Sequence, residues 1–585
     1  METSGSALEP TLPSLLSAEG KFYNQGTEDA YALSLGPGRD VAVVVDLGEV
    51  QKIYSVVIKN RGSSANQVGL TVSCSADGTK WTTRGSWVVK EAAWAWCLSV
   101  RHPARYVKLS RPDRNTDKPF ELKWVKILTR GSYNDEELMR LRFDGLPVRP
   151  AVSRPIPEWM SEGTGLGLFI HWGLNGWGLF RKSEAEHDRF VAEWPKSFTA
   201  ESYDPDKWMA AARRGGFAYT VITTRHHAGF NLWPSKTESV GGWGVVKHLG
   251  GRDLLAPFVL ACRKNGIRIG FYFSPIHWMW KTDEFPNRGF PRVNNWDRGA
   301  KFVDMPREQL QPILDRWLDQ DVFPCVEELL TRYGRIDYAW FDGFNWNRGV
   351  GLDFRAERMK KLILKHQPGL LLNPRYNNWG EAPKFGDLAT AENHFPQHRP
   401  AGPWEFCWCM RGGWFAGGKG ADTSNGTPAV NVLAAPAKCR SWGGYCLADI
   451  GPFNDGTMPD YYYGLCDVLE RWMAKNRRAL LGVHGGPWPD KCNVPVTIKD
   501  DTWYLFAWPQ DEKGEFLSPR NGRNGHYDYT PRQKTVTVAR VGKPASVRML
   551  ASGRTLDYRH DGSTLTVTIP AAEATPLLDV IEVRW

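Results

Sequence analysis

Apolar and polar positions follow one rhythm at the two ends of the chain and another in the middle. From about Tyr31 to Leu128 they alternate in short runs, VAVVVDLG (41–48), YSVVIKN (54–60), LTVSCS (70–75), RYVKLS (105–110) and LKWVKI (122–127), separated by Gly, Asn and Asp. Alternation of this kind predicts an antiparallel β-sandwich. The stretch from Arg130 to about Gly165 is different, with a charged helix predicted over Asn134 to Arg142 and a proline-rich run from Pro147 to Pro157, as in a linker. From there the pattern becomes helix, glycine, strand. Asp204-Pro205 opens a helix that Gly215 and Gly216 close before FAYTVITTRHH; Gly266 precedes IRIGFYFSP, Gly334 precedes RIDYAWFDG and Gly369 precedes LLLNPR. These apolar runs are nearly continuous, as strands covered on both faces must be, and proline and glycine stand where helices begin and end. A parallel sheet wrapped by helices follows, and the length suits a (β/α)8-like barrel, with an open doubly wound sheet as the alternative. After about Arg477 alternation returns in VPVTIK, WYLFAW, KTVTVAR, ASVRML and TLTVTIP, which predicts a C-terminal β-sandwich. The expected fold is therefore multi-domain: a β-sandwich over 14–130, a linker over 131–164, a barrel over 165–477 and a second β-sandwich over 478–585.

Length agrees with this division, since 585 residues exceed what one hydrophobic core organises. Apolar residues at 42% and charged residues at 24% leave no room for extensive disorder. No apolar run reaches the length of about 18 to 20 residues that spans a bilayer, so no membrane partner is expected. The Met1 to Pro13 segment lacks a charged start followed by an apolar stretch, which fits an intracellular chain or one whose signal peptide has been removed. Ten cysteines show no metal-ligand spacing, and Cys407 and Cys409 flank Trp408 as two positions on one strand face would. The net charge of +10 is scattered, which argues against a nucleic-acid groove and leaves an acidic polymer as an equally simple partner. The 28 tryptophans are suited to stacking on sugar rings, although most are expected to fill cores.

Active sites of parallel barrels lie at the C-terminal ends of the strands. Here GLFI ends in His171-Trp172, VITT in Arg225-His226-His227, IGFY in Phe273-Ser274 with Tyr272 just before, YAWF in Asp342 and LLLN in Pro374-Arg375, with Trp172, Trp194, Trp233 and Trp340 nearby as possible walls. Together these resemble the lining of a sugar pocket. A carboxylate directly after Tyr-Ala-Trp-Phe costs free energy unless it is paired or used, so Asp342 is either catalytic or one half of a buried salt bridge. A retaining glycosidase would need a second, protonated carboxyl about 5 to 5.5 Å away. Glu193, Asp387, Glu392 and Glu405 all stand in plausible loops, and spacing does not choose among them. The bland readings are a zinc pair for His226 and His227, which lacks a third ligand, a structural partner for Arg375, a core position for Trp194 and a simple turn for Asn454-Asp455-Gly456.

Two resemblances sharpen this picture. Val45-Asp46-Leu47-Gly48, Ser75-Ala76-Asp77-Gly78 with Trp81, and Ala104-Arg105-Tyr106-Val107-Lys108-Leu109 resemble the discoidin-like (factor 5/8 type C) modules, many of which bind carbohydrate. The segments GLGLFIHWG (165–173), AEWP (192–195), YDPDKW (203–208), TTRHHAGFNLWPSKT (223–237), GFYFSPIHW (270–278), IDYAWFDG (336–343), GDLATAENHFP (386–396), PWEFCW (403–408) and IGPFNDGTMPD (450–460) resemble the α-L-fucosidases of glycoside hydrolase family 29, in the family's order. The second resemblance implies a retaining exo-acting hydrolase of α-linked L-fucose that needs no cofactor and no metal. It makes Asp342 the nucleophile and Glu392 the general acid/base, with Glu405 as the rival for that role. It also implies that His171, Glu193, Trp194, His226, His227, Tyr272 and Arg375 line the pocket. Ala228 stands where relatives commonly have Asp, and Pro195 where an aromatic often follows Glu-Trp. The expected partner is a fucosylated oligo- or polysaccharide, sulfated or neutral. Two rival readings remain: an exo-glycosidase for a related sugar such as an α-galactoside, and a non-catalytic carbohydrate-binding protein on an enzyme scaffold.

Overall fold

A computed structural model of the chain describes residues 2–4, 33–35, 41–60, 70–86, 96–111, 120–128, 154–174, 192–240, 243–277, 307–343, 353–376, 385–393, 395–396, 399–400, 402–416, 426–510 and 530–585. The helix expected over Asn134 to Arg142 lies outside the described residues, as does most of the expected linker.

Among the described residues, the N-terminal unit has an antiparallel sheet of seven strands. Its centre is the long strand Val41–Asn60, which pairs with Trp96–Arg111 on one side and Phe120–Leu128 on the other. Register shifts between Asp46 and Gln51 and between Ile53 and Ser55 let so long a strand bend. Thr71–Ser75 is fully buried and pairs with Trp96–Arg111, where the sequence predicts strands and a D-G turn. At that turn Asp77 accepts the backbone N–H groups of Thr79 and Lys80 at 2.8 Å each, and Gly78 takes the positive φ the turn requires.

The second unit holds an eight-stranded parallel sheet. In chain order its strands are β1 (Leu166–Ile170), β2 (Tyr219–Arg225), β3 (Arg268–Phe273), β4 (Tyr338–Phe341), β5 (Leu371–Leu372), β6 (Ala389–Glu392), β7 (Trp404–Cys409) and β8 (Tyr445–Ile450). Hydrogen bonding links them in the order β5-β4-β3-β2-β1-β8-β7-β6, a circular permutation of sequence order, with each pair parallel. Such an order is that of a (β/α)8-like catalytic domain cut at the seam between β5 and β6. Helices stand between the strands where glycine and proline predict them. The Pro205–Arg214 helix, for example, has Pro205 at its first position, and the Asp204 carboxylate accepts the Lys207 N–H at 3.0 Å.

Asp387 spans the seam. Its backbone N–H donates to Leu372 O, and its carboxylate accepts the Leu372 N–H, both at 2.8 Å. Arg154 clamps the same carboxylate at 2.6 and 3.0 Å and also donates to the carbonyls of Pro368 and Leu370. Asp387, one of four acidic candidates in the sequence, is thereby committed to closing the sheet. Asp387→Ala is expected to cost about 2–3 kcal/mol, below the roughly 3–5 kcal/mol of a fully buried pair because Arg154 is 30% exposed. Chemical denaturation reads this, and a loss under about 1 kcal/mol would show that the seam is held by something else.

The C-terminal residues form a five-stranded and a three-stranded antiparallel sheet. Lys534–Ala539 and Thr564–Ile569 alternate buried with half-buried residues as their sequences predict. Val536, Val538, Leu565 and Val567 from one sheet share a buried core with Leu505, Val547, Ile581 and Val583 from the other.

Candidate active site

The C-terminal ends of the barrel strands bring most of the predicted polar residues together. Asp342 follows β4, and Gly343 behind it allows the chain to turn closely past Ile276, since a Cβ there would lie 2.5 Å from that side chain. The Tyr272 hydroxyl, from β3, donates to Asp342 Oδ2 at 3.2 Å. His227 Nε2 stands 3.8 Å from the same oxygen. Arg375, which follows β5, places Nη1 3.6 Å from Asp342 Oδ1 and 2.6 Å from Glu392 Oε2 at the end of β6. One guanidinium nitrogen therefore faces both carboxylates. Those two oxygens cannot be farther apart than the two distances laid end to end, which admits the roughly 5 to 5.5 Å of a retaining pair.

Arg375 is almost fully buried and fixed on every side. Nε donates to Thr390 Oγ1 at 2.9 Å, Nη2 approaches Cys407 Sγ at 3.8 Å, and the guanidinium carbon lies 4.7 Å above the Trp340 ring. The salt bridge weighed for Asp342 and the structural pairing weighed for Arg375 are thus both present in geometry, yet Asp342 keeps 13% and Glu392 20% of the side chain exposed. Both carboxylates remain reachable. Burial raises Asp342 to about 6, with Glu392 adding to the rise and Arg375 opposing it.

Three histidines surround these groups. His171, at the end of β1, shares a 2.6 Å contact between Nδ1 and Asp449 Oδ1 on β8. Burial pulls His171 well below its ordinary value and pushes Asp449 well above its own, each shift disfavouring the charged form of its group. His226 stacks against Tyr272 with ring centroids 5.5 Å apart and planes 13° from parallel, and burial lowers it to about 3. His227 Nδ1 meets Ser274 Oγ at 2.6 Å. Tyr272 in turn stacks on Trp340 at 5.4 Å and 16°. Neutral imidazoles with fixed rings are suited to reading hydroxyls.

Other predicted residues fall elsewhere. Trp172 and Trp233, read as possible walls, are core: Trp172 packs on Phe198, Tyr203 and Trp208 and donates to Phe453 O, while Trp233 donates to Glu328. Trp340 lies beneath Tyr272, not beside the pocket. For Trp172 the cause is alternation, which sends it opposite to His171 and out to the helices, whereas Trp340, two residues before Asp342, faces the barrel interior one layer lower. Arg225 also turns away from the interior, after a register shift that skips Thr224, and pairs with Asp321 at 2.7 Å, both fully buried. Glu193 is 63% exposed and pairs with Lys196 at 2.6 Å in its own turn, and Trp194 is half-buried against Trp243. Glu405 sits near the start of β7 with no exposure, accepting from the Tyr219 hydroxyl at 2.8 Å, the Tyr338 hydroxyl at 3.2 Å and Trp340 Nε1 at 3.0 Å.

Some neighbours of the cluster escape sequence reasoning. Trp414 and Phe415, after β7, bring rings within 4.9 and 5.5 Å of His171, and Phe415 lies 5.0 Å from His226. Nothing in a Gly-rich stretch fixes such a position. Asp449 has a signal: it is the sole charge in the apolar run YCLADI, and a charge there demands a partner.

Comparison with known proteins gives the family of the chain. Residues 146–478 match the family described as Alpha-L-fucosidase. Bovine tissue alpha-L-fucosidase is 25% identical over 401 residues, covering 63% of this chain and 78% of its own, and the human tissue enzyme is 24% identical over 403 residues, covering 63% and 79%. Among solved structures, alpha-L-fucosidase isoenzyme 1 from Paenibacillus thiaminolyticus superposes with a TM-score of 0.55 at 24% identity, covering 73% of this chain and 97% of its own. A covalent-intermediate structure of a family 29 alpha-L-fucosidase from Bacteroides thetaiotaomicron gives 0.57 at 20% identity, covering 74% and 97%. At these identities the structural likeness speaks for the fold, and the family match spans more than half of the sequence: the chain belongs to the α-L-fucosidase family, glycoside hydrolase family 29.

Proposed function

We propose that this protein is a retaining exo-α-L-fucosidase, acting on terminal α-linked L-fucose with Asp342 as nucleophile and Glu392 as general acid/base. The observation that carries the reading is the single Arg375 nitrogen facing both carboxylates, with Tyr272 bonded to one of them. Asp342 attacks the anomeric carbon while Glu392 gives its proton to the leaving oxygen; a fucosyl ester forms on Asp342 as the glycosidic bond breaks. Water then gives a proton to Glu392 and its oxygen to the anomeric carbon as the ester bond to Asp342 breaks, which returns the carboxylate and releases the sugar with its original anomeric configuration. His171, His226 and His227 read the hydroxyls, Arg375 holds the two carboxylates in register, and Glu193 and Trp194 belong to the outer rim. The layer that holds Glu405 counts against it as the acid, because three donors already occupy its oxygens and no solvent reaches it. The N-terminal sheet is read as a discoidin-like, carbohydrate-binding sandwich, and the substrate as a fucosylated glycan.

Hydrolysis of paired nitrophenyl α-L-fucoside and α-D-galactoside tests the activity, with the first sugar released followed by NMR. Turnover of the fucoside with the α-anomer formed first is expected. A preference for the galactoside, or no turnover of either, would defeat the reading. Asp342 must be ionised to attack, and burial raises it to about 6, so kcat/KM is expected to fall as pH drops through about 6.

A further inference from the structure

Which nitrogen of His227 carries the proton is decided by what each one faces. His227 is 2% exposed, and burial, with His226 and His171 beside it, pulls it well below its ordinary value, so the ring is neutral and has a single N–H. Nε2 lies 3.8 Å from Asp342 Oδ2 and Nδ1 lies 2.6 Å from Ser274 Oγ. An ionised carboxylate only accepts, so a bare Nε2 would set lone pair against lone pair. The proton therefore belongs on Nε2, and Nδ1 must accept. The Ser274 hydroxyl is placed to supply that bond: its oxygen already takes the Ile276 N–H at 3.2 Å, and its competing acceptor, Ile276 O, is 3.5 Å away.

We propose that Ser274 is a positioning residue for the nucleophile: it donates to His227 Nδ1, holds the ring in its Nε2–H form, and thereby turns that N–H toward Asp342 Oδ2, 3.8 Å from Nε2, beside the hydrogen bond from the Tyr272 hydroxyl. Every group in the chain then has one direction, from Ile276 N–H to Ser274, from Ser274 to His227, and from His227 to Asp342. The inference rests on Asp342 being the nucleophile and extends that reading to how its charge is supported. Among the described residues, the groups facing Asp342 are Tyr272 from β3, His227 from the end of β2, Arg375 from the end of β5 and Glu392 from the end of β6. Only the His227 contribution depends on Ser274.

The test is the pH profile of kcat/KM on an aryl α-L-fucoside. Loss of a donor to the ionised form raises a carboxylic acid, so in Ser274→Ala the acid limb is expected to move up by roughly half to one pH unit, with kcat lowered about tenfold and KM little changed. Ser274→Thr, which keeps the hydroxyl, is expected to hold the limb near its wild-type position. In a His227→Gln background Ser274→Ala should shift nothing further, since the coupling runs through the imidazole. An unmoved limb in Ser274→Ala, or a shift of the same size in the His227→Gln background, overturns the proposal. Should Ser274→Ala not fold, Ser274→Cys, close in size and a weaker donor, reads the same limb. Failure of the underlying reading looks different: Asp342→Gly would then turn over at the wild-type rate, whereas an inactive Asp342→Gly with an unmoved Ser274→Ala limb sinks only the role of Ser274.

Discussion

Asp342→Gly is expected to lower kcat on aryl α-L-fucosides by at least about 10⁴-fold, because no neighbouring group can replace an attacking carboxylate. Azide is expected to restore turnover. Glycine leaves a space where the carboxylate stood, on the face of the sugar opposite the leaving group, and a small anion there is drawn by the Arg375 guanidinium. Its single displacement inverts the centre and yields the β-fucosyl azide. The variant should fold at least as well as the parent. Asp342 is raised from 3.8 to about 6 by burial, so the folded state holds its proton more tightly than the unfolded chain, and the wild type loses stability through this group as pH climbs across that window. The glycine variant lacks that loss, and thermal unfolding at pH 5 and pH 7 would show the difference narrowing toward acid. Retention of more than about one per cent of kcat, or an azide product of the α-configuration, would remove Asp342 from the nucleophile's role.

The barrel is the part of the structure most legible in the sequence, and physical reasons separate what could be read from what could not. Strands buried on both faces leave unbroken apolar runs, and the residue ending each run is the residue at the rim, so His171, His226, His227, Tyr272, Asp342 and Arg375 could be found without coordinates. Facing direction is harder. Trp172 follows His171 and Arg225 precedes His226, yet the period of two sends one of each pair into the helix layer, where Trp172 packs on Trp208 and Arg225 pairs with Asp321. The acidic partners show the same limit. Glu193, Asp387, Glu392 and Glu405 look alike as letters, and what distinguishes them is height along the barrel axis and the number of donors each one meets. Asp387 is consumed by Arg154 and the Leu372 N–H, Glu405 by two tyrosines and a tryptophan, and Glu193 by Lys196. Glu392 pairs at 2.6 Å with Arg375, the residue that also faces Asp342. Contacts between strands so distant in sequence leave no local pattern. The His171–Asp449 pair, formed by the first and last strands of the barrel, is invisible for the same reason.

Glu392→Ala and Glu405→Gln are expected to separate by how their losses depend on the leaving group. Without Glu392 no proton reaches the departing oxygen, so a fucoside with a poor leaving group is expected to slow by at least about 10²-fold, while one with a strongly activated aryl group forms the fucosyl ester at a rate within about tenfold of the parent. The ester then persists, since the same carboxylate is needed to activate water, and azide should release it as the α-fucosyl azide, the anomer opposite to that from Asp342→Gly. Glu405 lies in a layer where its partners are all donors, and an amide there presents an N–H group to at least one of them. Trp340 Nε1 cannot accept, so the amide oxygen keeps Trp340 and Tyr338 while the amide N–H meets the Tyr219 hydroxyl, which turns to donate to Cys446 O, and Glu405→Gln is expected to lose about 1 kcal/mol of stability. Its kcat should fall by a similar factor for good and poor leaving groups, since Trp340 supports Tyr272 and Arg375 without touching the departing oxygen. A rate plot against leaving-group acidity decides between the two residues: steep for Glu392→Ala and parallel to the parent for Glu405→Gln assigns the proton to Glu392, and the reverse assigns it to Glu405.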